Sequence, residues 1–225
     1  MGADEISFWP RPIHLALFMM LSLAFTGCAK LRVEEVPRSG TGIEAGDCIT
    51  VVLVYQGGSP QKAEKIEKSI GDCISGTMVK RNLSVRFIPP GEFRRAVFPD
   101  TDITSAPRPR AILGLLSSPQ FRDKIKSLNL RYLITVRERT ELKESLIGDP
   151  ILYSSLLISH DKSTVLVANI IDLQKKSDSG EVRVTAEDTG AYGCVCIFPV
   201  VVPAFTESRA CKTLGRAVTK FLMGD

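Results

Sequence analysis

The run Cys48-Ile49-Thr50-Val51-Val52-Leu53-Val54-Tyr55 is apolar or β-branched at nearly every position. A strand with water on one face alternates polar and apolar residues, so an unbroken run of this kind predicts a strand covered on both faces. Gly57-Gly58-Ser59-Pro60 ends it, with Ser59 placed as N-cap and Pro60 at the first helical position. The spacing then predicts a helix to about Ile74, closed by Gly76, with Ala63, Ile66, Ile70 and Ile74 on one face. Lys62, Glu64, Lys65, Glu67 and Lys68 fall around the other. Leu83–Ile88 reads as a second strand. Two strands joined by such a helix run parallel with a right-handed crossover, which commits the chain to an α/β fold.

The rest extends that sheet. Glu92–Phe98 reads as a short helix, Asp100–Pro109 as a loop, and Ala111–Leu116 and Ser118–Leu128 as helices. Arg131–Glu138 is a third strand, reached by the same strand-helix-strand logic. Thr164–Leu173 and Glu181–Ala186, joined by the polar turn Gln174–Gly180, predict a β-hairpin with one wet face. Gly190–Val202 is apolar but holds Pro199, so at most its first part is expected as strand. A final helix over Thr206–Leu222 places Ala210, Leu214, Ala217, Val218 and Phe221 on one face. The expected architecture is a mixed sheet, two-layer or three-layer-like, with a β-α-β start, a later hairpin and a C-terminal helix. One domain spans residues 47–225.

Ahead of the domain, Ile13–Gly27 is interrupted only by His14, Ser22 and Thr26 and stops at Cys28. It is too short for a membrane-spanning helix, which needs about 20 apolar residues, and fits the core of an export signal. Phe25-Thr26-Gly27-Cys28 resembles the lipobox of bacterial lipoproteins. The resemblance implies that residues 1–27 are removed and that Cys28 is diacylated as the mature N-terminus. Ala29, in place of Asp, implies delivery to the outer membrane, facing the periplasm. Two acyl chains anchor stably where one does not. Polar residues with Pro37, Gly40, Gly42 and Gly46 then read as a flexible tether over 28–46.

Loss of residues 1–27 leaves 198 of the 225 residues and shifts the formal charge from +4 to +5. The charges are interspersed, with only short pairs such as Lys80-Arg81, which argues against nucleic acid as a partner and leaves a weak attraction to anionic lipid headgroups. Export makes disulfides expected. Cys48, Cys73, Cys194, Cys196 and Cys211 are odd in number, so at most two bridges form internally. In a β-α-β unit the helix end returns near the strand start. Cys48 is therefore expected to pair with Cys73, contributing about 3–4 kcal/mol by loop closure. Cys194 and Cys196 share a strand face; either reaches Cys211 in the final helix, with Cys194 favoured.

No catalytic signature is present. The chain has no G-x-S-x-G, no phosphate-cradling glycine loop and no H-E-x-x-H, and Gly57-Gly58 lacks the further glycines and lysine of a phosphate loop. No cofactor and no metal are expected; the cysteine spacing does not match a zinc site. His160, the one histidine outside the export signal, reads as a surface residue in a turn. Asp100, Asp102, Glu138 and Glu141 are carboxylates at loop or strand-end positions with no implied pairing. Gly193–Phe205 reads either as buried core or as an apolar surface for a partner protein or the membrane leaflet.

The element order, carried by Ile49–Tyr55, Leu83–Ile88, Arg131–Val136 and the Val165–Val182 hairpin, resembles the periplasmic α/β module of curli-secretion-channel lipoproteins. The same module occurs in penicillin-binding-protein-activator lipoproteins and in the amino-terminal domain of the Tol translocation protein. The resemblance implies a non-enzymatic module that binds or scaffolds another envelope component, with an envelope protein as the expected partner. The alternatives are a subunit of an oligomeric secretion pore and, last, an envelope hydrolase.

Overall fold

The computed structural model describes residues 30–54, 59–99, 109–147, 155–195, 198–202 and 204–224. The segment read as an export signal, with Cys28, and the Gly57-Gly58 pair, Asp100, Asp102 and Cys196 lie outside them. Among the described residues one mixed sheet contains β1 (Lys30–Pro37), β2 (Cys48–Leu53), β3 (Arg86–Ile88), β4 (Leu130–Ile147), β5 (Ser155–Asp172), β6 (Ser177–Val195) and β7 (Phe198–Val202). The spatial order is β1-β6-β5-β4-β2-β3, and β7 also pairs with β6. The helices are α1 (Pro60–Lys80), α2 (Pro90–Val97), α3 (Pro109–Leu115), α4 (Pro119–Ser127) and α5 (Thr206–Met223). The fold is α/β, as expected.

Strand β2 sits between β3 and β4 and is parallel to both. Its residues are buried throughout, which accounts for the unbroken apolar run. Alternation divides them: Ile49, Val51 and Leu53 join Tyr132, Ile134, Val136, Leu166, Ala168, Ile170, Val182 and Val184 beneath α1 and α5. Cys48 and Val52 face the opposite cluster, with Phe93, Ile112, Phe121, Ile125 and Leu133, under α2, α3 and α4. The molecule has three layers over β2–β4 and two over β5, β6 and β1. Both expected arrangements coexist.

Helix α1 starts where Ser59 accepts a hydrogen bond from the Lys62 N–H at 3.2 Å. It continues past Gly76, which faces open space, to Lys80. Glycine costs about 1 kcal/mol in a helix, and the buried Met78 beyond it outweighs that cost. The end comes at Asn82, whose φ of 53° leaves the helix, with the Leu83 N–H donating to the Met78 carbonyl.

Three expectations are corrected. Residues 30–37 are not a flexible tether: all eight of β1 pair antiparallel with β6, from Lys30 opposite Glu187 to Pro37 opposite Gly180. Its charges and the glycines that follow read as a linker locally, but β6 supplies the missing partner. The later strands are also longer than their apolar cores. β4 and β5 stay paired out to Ile147 opposite Leu157, β6 reaches Val195, and β7 pairs with it despite Pro199, at the sheet's margin where proline is tolerated. His160 therefore lies within a strand, between Glu144 and Gly190.

The third concerns the disulfides. Cys73 is bonded to Cys211, across 138 residues of sequence, and Cys48 is a free, buried thiol. Cys48 projects from the face of β2 opposite to α1, so it cannot meet Cys73 whatever the distance along the chain. With Cys211 taken by Cys73, no bridge joins Cys211 to Cys194.

Candidate functional site

Helices α1 and α5 cross closely over the sheet. A Cβ placed on Gly215 would come within 2.5 Å of the Cys73 carbonyl oxygen and 2.8 Å of Thr77 Oγ1. Only glycine permits this approach. The Cys73–Cys211 bond ties the helices at the same level, with Cα atoms 5.9 Å apart. Thr77 Oγ1 donates to the Cys73 carbonyl at 2.8 Å, keeping that hydroxyl turned along α1.

Outside this seam the helices diverge into an open groove of about 940 Å³. Lys65, Lys68, Lys80 and Arg81 line it from α1 and its C-terminal cap; Lys212 and Arg216 line it from α5. All six are exposed. Asp72 is the single acid in the lining, and it pairs with Lys68 at 3.5 Å. The other five cations form no ion pair among the described residues. Arg216 Nη2 donates to Thr213 Oγ1 at 3.3 Å, which steadies its stem and leaves further donors free. Lys80 also sits in the last turn of α1, where the helix dipole favours a cation. Cations that look dispersed along the chain converge here because i,i+3 and i,i+4 spacings put Lys65 with Lys68 and Lys212 with Arg216 on single helix faces. That spacing is the signal the sequence carries; the pairing of α1 with α5 is the half it lacks.

A second polar region lies where β4 leaves the body, near the start of α5. Glu138, half-buried, accepts from Thr140 Oγ1 at 3.2 Å. Burial holds its pKa above the usual carboxylate range; the charge of Glu207 adds to this, and Lys62 and Lys162 oppose it. Glu207 is pulled the other way: burial would raise its pKa, but the hydrogen bond and charge of Lys162 outweigh this and hold it low. Thr164 Oγ1 lies 3.2 Å from Thr140 Oγ1 and 2.8 Å from Thr206 Oγ1, linking strand to helix. Glu141 is three residues from Glu138 on one strand, hence on the other face, and pairs with Arg139 at 2.7 Å. The two carboxylates do not converge.

Two buried cations are structural. Arg94 Nε donates to both carboxylate oxygens of Glu67, at 3.2 and 3.0 Å, while Glu67 accepts from the Leu53 N–H at 2.7 Å and Arg94 Nη2 donates to the Leu53 carbonyl. The pair ties α1 and α2 to the end of β2. Arg131 binds Asp47 at 2.7 Å and lies over the Tyr132 ring at 5.1 Å. Spacing along the chain distinguishes neither from a surface cation; tertiary partners bury them. No helix among the described residues is long and apolar enough to cross a membrane.

Neither a protein-family profile nor a curated protein sequence matches this chain. Among solved structures, the dodecamer of a PelC point variant from Paraburkholderia phytofirmans is 12% identical, with 88% of this chain and 100% of that one covered, at a TM-score of 0.39. A second PelC dodecamer from the same organism gives 13%, 87%, 98% and 0.37. A Helicobacter pylori protein described as a neuraminyllactose-binding hemagglutinin homolog gives 9%, 83%, 90% and 0.42. Overlaps this loose carry no functional argument.

Proposed function

We propose that the chain is an outer-membrane lipoprotein, anchored through Cys28, whose periplasmic domain binds an anionic, phosphate-bearing component of the envelope without transforming it. The observation that carries this reading is the α1–α5 groove, six exposed cations against one acid. Four of the six are lysines, compact charges that suit phosphate groups met in varied poses, whereas a single planar carboxylate would favour paired arginines. The one acid of the groove is paired with Lys68 and no histidine lines it, which supports binding over reaction.

The test is isothermal titration of the detergent-solubilised full chain with short-chain polyphosphate, with neutral dextran as control. Polyphosphate should bind, weaken steeply with salt, and lose at least tenfold in affinity in Lys212→Glu/Arg216→Glu. Equal affinity in that variant, or no binding at low salt, would refute the groove as the site.

The length of β4 and β5, 18 residues each, favours a second reading as a secretion-pore subunit. A membrane-crossing strand needs only about 9–11 residues. Migration of unboiled protein as a large, SDS-resistant ring, with conductance in planar bilayers, would support it over the binding module.

A further inference from the structure

Strand β1 is bonded to the sheet along one side only. On its other side no strand is paired among the described residues. The Arg38 N–H donates to the Ser179 carbonyl at 2.9 Å, which sets the parity of the ladder: even-numbered residues of β1 bond β6, and odd-numbered ones turn their N–H and C=O groups outward. The open edge thus presents the backbone of Leu31, Val33 and Glu35, and ends at Pro37, which has no N–H to offer. Leu31, Val33 and Val36 are 45%, 42% and 51% exposed, half of the large apolar residues that stand in water among the described residues. An open edge with exposed apolar side chains is a site for strand addition.

We propose that this edge pairs with the same edge of a second copy of the chain, antiparallel, with Val33 on the two-fold axis. Parity restricts the registers, because only odd residues can bond odd residues. One allowed register sets Arg32 against the second copy's Arg32, and another sets Glu34 against its Glu34; each places like charges directly opposite. The register centred on Val33 places Arg32 opposite the second copy's Glu34, twice by symmetry, and joins Leu31 to Glu35 by paired backbone bonds. Like charges facing across strands destabilise and opposite charges stabilise, so the sequence of the strand selects this register. Leu31 and Val33 lie on the same face as Ala186 and Val184, their β6 partners, so the four side chains of the two copies form one apolar strip. The two-fold is perpendicular to the joined sheet, which leaves both α1–α5 grooves on one side. The pairing does not depend on what those grooves bind.

The experiment is sedimentation velocity of the full chain extracted in mild detergent, alongside cysteine crosslinking. Wild type should sediment as a dimer. Val33→Pro removes an outward N–H while sparing every bond to β6; it should weaken association at least tenfold with unchanged thermal unfolding. Arg32→Glu should do the same, and Arg32→Glu/Glu34→Arg should restore the dimer. Val33→Cys should form a covalent dimer above the wild-type background, and Glu35→Cys should not. A monomeric wild type, an oligomer that Val33→Pro leaves intact, or equal crosslinking from positions 33 and 35 would overturn the proposal.

Discussion

Glu138 and Glu207, whose charge acts on Glu138, have pKa values displaced in opposite directions, so they give opposite pH dependences. Glu138 is raised, chiefly by burial. From the ordinary carboxylate value near 4.3 upward, the native state therefore holds more of its proton than the unfolded chain, and stability falls as pH rises through the folded value. Glu138→Gln should be more stable than wild type at about pH 7 and equal to it at about pH 4, in urea titrations. Glu207 is lowered, with Lys162 overriding burial. Its contribution is present above the ordinary value and lost as pH falls through the folded one. Glu207→Gln should be less stable at neutral pH, and the difference should vanish in acid. Gly215 supplies a further test. Alanine there meets the Cys73 carbonyl at 2.5 Å, so it should cost about 1–3 kcal/mol by overpacking and shift the groove. Gly114→Ala, with open space around it, should instead gain about 0.5 kcal/mol.

Elements whose burial is complete were legible in the sequence, and those that depend on a distant partner were not. β2 is covered on both faces, so every residue answers to the core and the run is continuous. α5 buries one stripe, and its Ala210, Leu214 and Val218 show the helical period. β1 has almost no buried side chain, so nothing in Lys30–Pro37 distinguishes strand from linker without β6 beside it. The groove lay hidden for the same reason: each helix shows its cations separately, and the crossing that joins them is set by Gly215 and the core below. The disulfide expectation failed on the face of one strand, since Cys48 looks away from α1 while Cys73 looks toward α5. The Cys73–Cys211 bond spans 138 residues. In the chain-entropy account its loss costs about 5 kcal/mol, so Cys211→Ser and reduced wild type should show matching losses in urea unfolding. Cys48→Ser, which leaves that bond intact, should keep the wild type's sensitivity to reductant.

At the scale of the molecule, β1 begins two residues after Cys28, which allows roughly 7 Å between that residue and the sheet. On the lipid anchor proposed above, so short a lead would hold the domain against the bilayer. Lipid and groove then act on the same membrane through different physics. Acyl chains hold by about 0.8 kcal/mol per buried CH₂ and are indifferent to salt. Basic side chains near an anionic surface contribute about 1 kcal/mol each and are screened within a Debye length. Membranes from cells expressing the full chain should therefore retain wild type through a high-salt wash. Cys28→Ala should take up no palmitate analogue and remain with membranes at low salt only. Cys28→Ala/Lys212→Glu/Arg216→Glu should be released at any salt. Equal acyl labelling of wild type and Cys28→Ala would remove the anchor, and release of Cys28→Ala at low salt would detach the groove from the membrane while leaving its affinity for polyphosphate to be judged by titration.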